Sequence, residues 1–104
     1  MKFDISKMLH ADVYDHPVQS LELIETHISW VVLTGEVAYK IKKPVNFGFL
    51  DFSTLVRRKH YCEQELKLNQ RLTTNIYKEV VGILEQHNKL LVGKTDGIEY
   101  AIKM

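Results

Sequence analysis

The sequence predicts an α+β domain in which an antiparallel sheet of five to six strands packs against one long helix. Three observations predict this class. Short runs rich in β-branched and aromatic residues lie on both sides of a long helical segment. Short breaks, without intervening helices, separate neighbouring runs, as in antiparallel meanders. The composition is 45% hydrophobic and 26% charged over 104 residues, which is ordinary for a globular chain, so we expect a single domain over residues 1–104.

The amino-terminal segment, residues 1–16, is predicted to form a short helix. Asp4 can cap this helix, and Pro17 ends it because proline disfavours helical backbone at the preceding residue. Apolar residues recur at helical spacing between them. These residues are Ile5, Met8, Leu9 and Val13. We expect them to cover the outer face of the sheet.

Two groups of strands are predicted on either side of the long helix. Residues 18–43 contain three strand-like runs, "SLELIE", "ISWVVL" and "EVAYKIKKP", the last two joined by a tight turn at Gly35. Residues 78–104 contain "KEVVGILEQ", "KLLVG" and "IEYAIKM", which read as a meander. The sheet is expected to combine both groups.

The long helix is predicted over residues 53–72, with Ser53 as its N-cap. A helical wheel places Glu65 inside the apolar face, whereas Glu63 points away. A carboxylate within a packing face is costly unless it meets a cation. The apolar face comprises Leu55, Cys62, Leu66 and Leu72, with Tyr61 and Leu68 extending it.

The strand "VAYKIKKP" supplies a candidate cation. Side chains alternate along a strand, so Ala38, Lys40 and Lys42 share one face, opposite Tyr39. If the helix packs on that face, Lys40 can pair with Glu65. The alternative is that Lys40 is a solvated edge lysine and Glu65 a residue at the border of the packing face.

Several stretches resemble a known family. Val37-Ala38-Tyr39-Lys40 matches the V-A-x-K pattern of the third strand of protein kinases, and a helix with an inward glutamate follows it. The longer stretches "THISWVVLTGEVAYKIKKPVNFGFLDFSTL", "RRKHYCEQELKLNQRL" and "IEYAIKM" resemble the amino-terminal lobe of an uncharacterised bacterial aminoglycoside phosphotransferase-like family. The resemblance extends over nearly the whole chain from about Asp15.

The resemblance implies a kinase-like lobe that binds ATP. Lys40 would orient the α- and β-phosphates, Glu65 would hold Lys40 in place, and Ala38 would face the adenine. The turn that covers the phosphates lacks the glycines of protein kinases, so hydroxyl and backbone groups would have to reach the phosphates. The remaining expected contacts are Thr26 and Ser29 in this turn and Met104 at the start of the hinge.

The catalytic parts of a kinase are missing from residues 1–104. The sequence has no catalytic-loop aspartate, no magnesium-binding asparagine and no carboxy-terminal lobe, so we expect no catalytic residue in it. The resemblance implies ATP and Mg²⁺ as cofactors, with the Mg²⁺ ligands outside this chain. A second lobe, or a second copy of the chain, is expected to cover an exposed apolar surface. The alternative is a stand-alone, non-catalytic module that binds a nucleotide or a protein.

Other functions find less support. A net charge of +1 and a pI near 7.9 give no general attraction to nucleic acid or membranes. A basic cluster of Arg57, Arg58 and Lys59, with Lys42 and Lys43, suggests a nucleic-acid patch, but a solvated helix face is the preferred interpretation.

Membrane, disulfide and metal sites are not expected. No stretch has the length or apolarity of a signal peptide or a membrane span, so a cytoplasmic location is expected. The single cysteine, Cys62, excludes an internal disulfide and is expected to be a buried hydrophobic residue. The five histidines are scattered without metal-ligand spacing.

Overall fold

The structure is a computed structural model that describes residues 3–72, 78–94 and 96–104. These residues form one six-stranded antiparallel sheet and one α-helix, as the sequence predicted. The elements in chain order are β1 (Glu22–Glu25), β2 (Ser29–Leu33), β3 (Ala38–Lys42), α1 (Leu55–Leu72), β4 (Glu79–Gln86), β5 (Lys89–Gly93) and β6 (Glu99–Lys103).

The strand order is β1-β2-β3-β6-β4-β5. The two predicted groups of strands therefore meet where β6 pairs with β3, with Lys40 opposite Ile102. Tight turns join the paired strands within the hairpins. His87 and Asn88, between β4 and β5, both have positive φ angles, as two-residue hairpin turns require. Gly35 has a φ of 111° in the turn before β3.

Each face of the sheet buries its own core. On the inner face, which carries α1, Cys62 packs with Tyr100 and Ile102. On the outer face, Tyr39 and Ile41 of β3 pack beneath the amino-terminal segment. The alternation along β3 thus places its apolar side chains on the outer face and leaves Lys40 and Lys42 facing the helix.

The amino-terminal segment covers the outer face as predicted, but the predicted helix is wrong. The segment forms two short 3₁₀ turns, Ile5–Met8 and Ala11–Val13, and His10 between them is extended. The extended residue lets the buried Met8 and Val13 both reach the core of the sheet. The Tyr14 hydroxyl fastens the segment by donating a hydrogen bond of 2.7 Å to the carbonyl oxygen of Met8.

Helix α1 differs from prediction at its cap and on one side. Thr54, and not Ser53, caps it, since the Thr54 hydroxyl accepts a hydrogen bond of 3.2 Å from the backbone N–H of Arg57. Leu68 is 59% exposed and lies outside the packing face, which was predicted to include it. The buried stripe is therefore narrower than the helical wheel indicated, and the side chain of Leu72 lies outside the described part of the chain. Among the described helices, none has the length and apolarity needed to cross a bilayer.

Candidate functional site

The central feature of the inner face is an ion pair between β3 and α1. The Lys40 ammonium nitrogen lies 3.1 Å from Glu65 Oε2. Lys40 points towards the helix because it shares the inner face with Ala38, and Glu65 points towards the sheet because it follows Cys62 by one turn of α1. The predicted Lys40–Glu65 pair is confirmed, and the alternative of a solvated edge lysine is wrong.

Glu65 also binds a second lysine. The Lys42 ammonium nitrogen lies 2.7 Å from Glu65 Oε1 and 4.9 Å from the centre of the Phe52 ring. The Lys42 side chain is only 5% exposed, against 27% for Lys40. Alternation along β3 predicted the correct face for Lys42, but its contact with Glu65 was not predicted, although its spacing of two residues from Lys40 was the available signal.

These two cations set the ionisation of Glu65. Burial raises the pKa of a carboxyl group, but the hydrogen bonds and charges of Lys42 and Lys40 outweigh burial, so the pKa of Glu65 is lowered. Glu65 is therefore ionised at neutral pH and attracts both ammonium groups.

An open cleft of about 860 Å³ lies beside this pair on the inner face. Lys40 forms part of its wall, and the turn between β1 and β2 forms another part. The cleft is lined by Glu25, Thr26, His27, Ile28, Ser29, Val31, Lys40 and Met104. Thr26, Ser29, Lys40 and Met104, four of the predicted nucleotide contacts, thus come together at one cleft.

The other two predicted contacts lie beside the cleft and do not line it. Ala38 forms a backbone pair with Met104, in which Ala38 N–H donates to the Met104 carbonyl at 3.0 Å and Met104 N–H donates to the Ala38 carbonyl at 2.8 Å. Met104 therefore offers its side chain to the cleft while its backbone is already bonded. Glu65 contacts Lys40 and does not line the cleft itself.

The two hydroxyl groups expected near phosphate differ in their bonding. The Thr26 hydroxyl is engaged within the turn, where it accepts from the backbone N–H of Ser29 at 3.0 Å and donates to the Ser29 carbonyl at 3.2 Å. The buried Ser29 hydroxyl has no hydrogen-bond partner among the residues that the structure describes. An unbonded buried hydroxyl is costly, and this one belongs to a residue in the wall of the cleft.

The described residues form no cluster suited to a metal ion. Within the described ranges, no group of three or more His, Cys, Asp and Glu side chains is arranged to hold a metal ion. Mg²⁺ therefore remains an expectation that follows from ATP.

A second carboxylate, Glu99, ties the start of α1 to β6. Arg58 Nε lies 2.9 Å from Glu99 Oε1, and the Arg58 guanidinium also donates to the Phe52 carbonyl at 2.8 Å. The Glu99 side chain is only 2% exposed. Burial raises the pKa of Glu99 and outweighs the lowering by Arg58. Sequence reasoning missed this pair because it treated Arg58 as part of a basic patch.

The remaining cations of that patch also have acidic partners. Arg57 lies 3.2 Å from Asp51, and Lys59 lies 3.0 Å from Asp96. Lys43 pairs with Glu25. Each cation of the basic cluster is therefore paired with an acidic side chain of the same chain. This pairing favours a solvated helix face over a phosphate-binding surface.

The sequence is similar to longer proteins whose names assign no activity. An uncharacterized protein of Mycobacterium tuberculosis (strain H37Rv), one of M. tuberculosis strain CDC 1551 and one of Mycobacterium bovis are each 43% identical to this chain over 65 residues. The match covers 60% of this chain and 13% of each relative. No protein-family model matches the sequence, and no solved structure matches it. The fold and the Glu65 site thus define an α+β domain with an ion-paired lysine at an open cleft, similar to a small part of these proteins.

Proposed function

We propose that this chain is the nucleotide-binding amino-terminal lobe of an ATP-dependent phosphotransferase of the aminoglycoside phosphotransferase-like family. The observation that carries the proposal is the Lys40–Glu65 pair at 3.1 Å, with Lys40 forming part of the wall of the cleft. A phosphotransferase needs a cation that meets the phosphates and is held in place by the protein. Lys40 is held by Glu65 and borders the cleft, which supports this role.

The charge of Lys40 supports a phosphate ligand. An ammonium group has three donors, so Lys40 can bond phosphate oxygens whether or not one donor stays on Glu65. Its side chain is partly exposed at the cleft, so an anion can reach it without displacing protein. Charge-assisted hydrogen bonds of this kind are stronger than neutral ones.

The size and lining of the cleft support a nucleotide as the phosphate-containing ligand. Its volume of about 860 Å³ falls within the usual range for sites that bind small molecules and cofactors. Ile28, Val31 and Met104 provide apolar surface for a base or ribose. The unbonded Ser29 hydroxyl is buried in the wall of the cleft, and a small shift of the turn would let it donate to a phosphate or ribose oxygen.

Transfer of a phosphoryl group would require a second lobe. That lobe would supply the Mg²⁺ ligands and the base that positions the acceptor, and it would select the acceptor. The lengths of the relatives support a larger assembly, because the match covers only 13% of each. Exposed apolar side chains near the start of α1 form a surface that a second lobe or a second copy of the chain could cover. They are Phe47, Phe49 and Val56. An ATP-dependent enzyme would work in the cytoplasm, where we place this lobe.

The proposal is tested by titrating ATP, with Mg²⁺ present, into the 104-residue chain by calorimetry. Lys40→Ala is expected to lower the affinity at least about tenfold, since it removes the cation that meets the phosphates. Lys89→Ala is the matched control, because Lys89 pairs with Asp12 outside the cleft. Absence of ATP binding to the wild-type chain, or equal effects of the two variants, would contradict the proposal.

A further inference from the structure

We propose that Lys42 is a positioning residue that holds Glu65 with or without a bound nucleotide, so that Lys40 is free to move between Glu65 and the ligand. The inference rests on the proposed function, because the mobile partner of Lys40 is the phosphate group of that ligand. It assigns different tasks to two lysines that stand two residues apart on one strand.

The two lysines occupy different oxygens of one carboxylate. Lys42 binds Oε1 at 2.7 Å, and Lys40 binds Oε2 at 3.1 Å. Neither lysine therefore has to leave for the other to stay. A carboxylate can accept hydrogen bonds at both oxygens, so Glu65 can lose one ammonium and retain the other.

Their surroundings separate the stationary lysine from the mobile one. Lys42 is 5% exposed and does not line the cleft, and its ammonium group has a second contact on the face of Phe52. A cation on an aromatic face and a carboxylate together is held from two sides. Lys40 is 27% exposed and lines the cleft. Lys42 is thus enclosed by protein, and Lys40 faces the space where a ligand would lie.

The charge balance gives this arrangement a consequence for binding. If Lys40 were the main cation at the largely buried Glu65, drawing it towards phosphate would weaken the pairing of a desolvated carboxylate, which is unfavourable. Lys42 keeps a positive charge 2.7 Å from Glu65 throughout. The movement of Lys40 towards the ligand therefore costs less, and ATP affinity is higher than with Lys40 alone.

The first experiment measures ATP affinity in four chains: wild type, Lys42→Met, Glu65→Gln and the double variant. Lys42→Met is expected to lower affinity about tenfold, because Glu65 then competes with the phosphates for Lys40. In the Glu65→Gln background the same change is expected to have no effect, since the competing charge is gone. Lys42→Arg is expected to recover most of the affinity. All titrations are made well below the melting temperature of each variant.

Two outcomes of this experiment would overturn the inference. An equal loss of affinity in both backgrounds would mean that Lys42 contacts the ligand directly. A lower melting temperature with unchanged affinity would mean that Lys42 only stabilises the fold.

A second experiment does not need a ligand. Trace reductive methylation, followed by peptide mass spectrometry, reports how free each lysine amine is. Lys40 is expected to react more slowly in Lys42→Met, where Glu65 holds it more tightly, and faster in Glu65→Gln. Lys89→Met is the control and should leave Lys40 unchanged, since it lies far from this cluster along the sheet.

The second experiment separates the inference from the proposed function. If the wild-type chain binds no ATP but shows this labelling pattern, the proposed function is wrong and the division between the lysines stands. If Lys40 reactivity is the same in wild type and Glu65→Gln, the division itself is wrong. This comparison of wild type with Glu65→Gln can be made even if Lys42→Met does not fold.

Discussion

Two carboxylates join helix α1 to the sheet, and they are neutralised in different ways. Glu65 lies on the helix and forms ion pairs with two lysines of β3. Glu99 belongs to β6 and receives one arginine from the first turns of the helix. The Glu99 side chain is 2% exposed and that of Glu65 is 18% exposed.

The difference indicates that the start of the helix is anchored in a fixed orientation and that the contact at Glu65, near its middle, is less strictly oriented. The planar guanidinium of Arg58 contacts both Glu99 oxygens, at 2.9 and 3.1 Å, and such a fork fixes orientation as well as distance. Ammonium groups on flexible stems impose no comparable geometry on Glu65. The Glu99 pair therefore fixes where the helix starts, and the Glu65 pairs leave Lys40 able to change partners.

The largest effect is expected from breaking the anchor. Arg58→Met removes the cation from the buried Glu99, which must then stay charged without a partner or take up a proton. It also removes the donor to the Phe52 carbonyl, so the free energy of unfolding should fall by about 3–5 kcal/mol. Urea unfolding followed by circular dichroism measures it. Arg57→Met is the matched control, because the Arg57 side chain that pairs with Asp51 is 54% exposed, and we expect no measurable change. Similar losses in both variants would show that Glu99 is no anchor.

A smaller effect is expected at the Glu65 contact. Lys42→Met should lower the free energy of unfolding by about 1–3 kcal/mol, because Lys42 is buried between Glu65 and Phe52. Lys40→Met should cost less than about 1 kcal/mol, since Lys40 is partly solvated and Lys42 remains on Glu65. The same urea experiment compares them. The reverse order would mean that Lys40 is the main structural partner of Glu65.

The two carboxylates should also respond to pH with opposite signs. The pKa of Glu65 is lowered on folding, so its contribution to stability is present above the unfolded value near 4.5 and is lost as pH falls through its folded pKa. The pKa of Glu99 is raised on folding, so the folded state binds more protons above 4.5, and stability falls as pH rises towards the folded pKa.

Unfolding free energies measured between about pH 3 and pH 7 test these signs. Glu65→Gln should weaken the loss of stability that accompanies a fall in pH below 4.5. Glu99→Gln should weaken the loss of stability that accompanies a rise in pH above 4.5. Each change in slope is bounded by about 1.4 kcal/mol per pH unit. The same sign in both variants would refute the contrast between the two sites.

The smallest effect is expected from a pair outside both clusters. Lys59 and Asp96 are 3.0 Å apart at the surface, where water and salt screen their attraction. Lys59→Met should leave the urea midpoint unchanged. A clear loss would mean that the attachment of α1 to the segment before β6 extends beyond Arg58.

The sequence was sufficient for the sheet, the long helix and the Lys40–Glu65 pair because each depends on periodicity. Alternation in β3 and the helical wheel of α1 assign faces without knowledge of the packing. The amino-terminal helix was wrong because the spacing of Ile5, Met8, Leu9 and Val13 suits two short turns as well as one helix. Leu68 was misplaced because a wheel does not show where the sheet beneath a helix ends.

The second lysine and the anchor depended on tertiary contacts. Lys42 was predicted on the correct face, but whether its ammonium group contacts Glu65 depends on how closely α1 packs on β3. Glu99 stands at the start of a strand, where an exposed glutamate is common, and only the fold brings Arg58 to it.

The position of β6 has a consequence for how the chain folds. This strand follows both β3 and β4 along the chain but lies between them in the sheet. The hairpins of β1 to β3 and of β4 with β5 can form from local contacts, whereas their union waits for β6 to pair on both sides. Folding should therefore have a late, slow step, and until it is complete β3 and β4 each expose an unpaired edge that can join another chain.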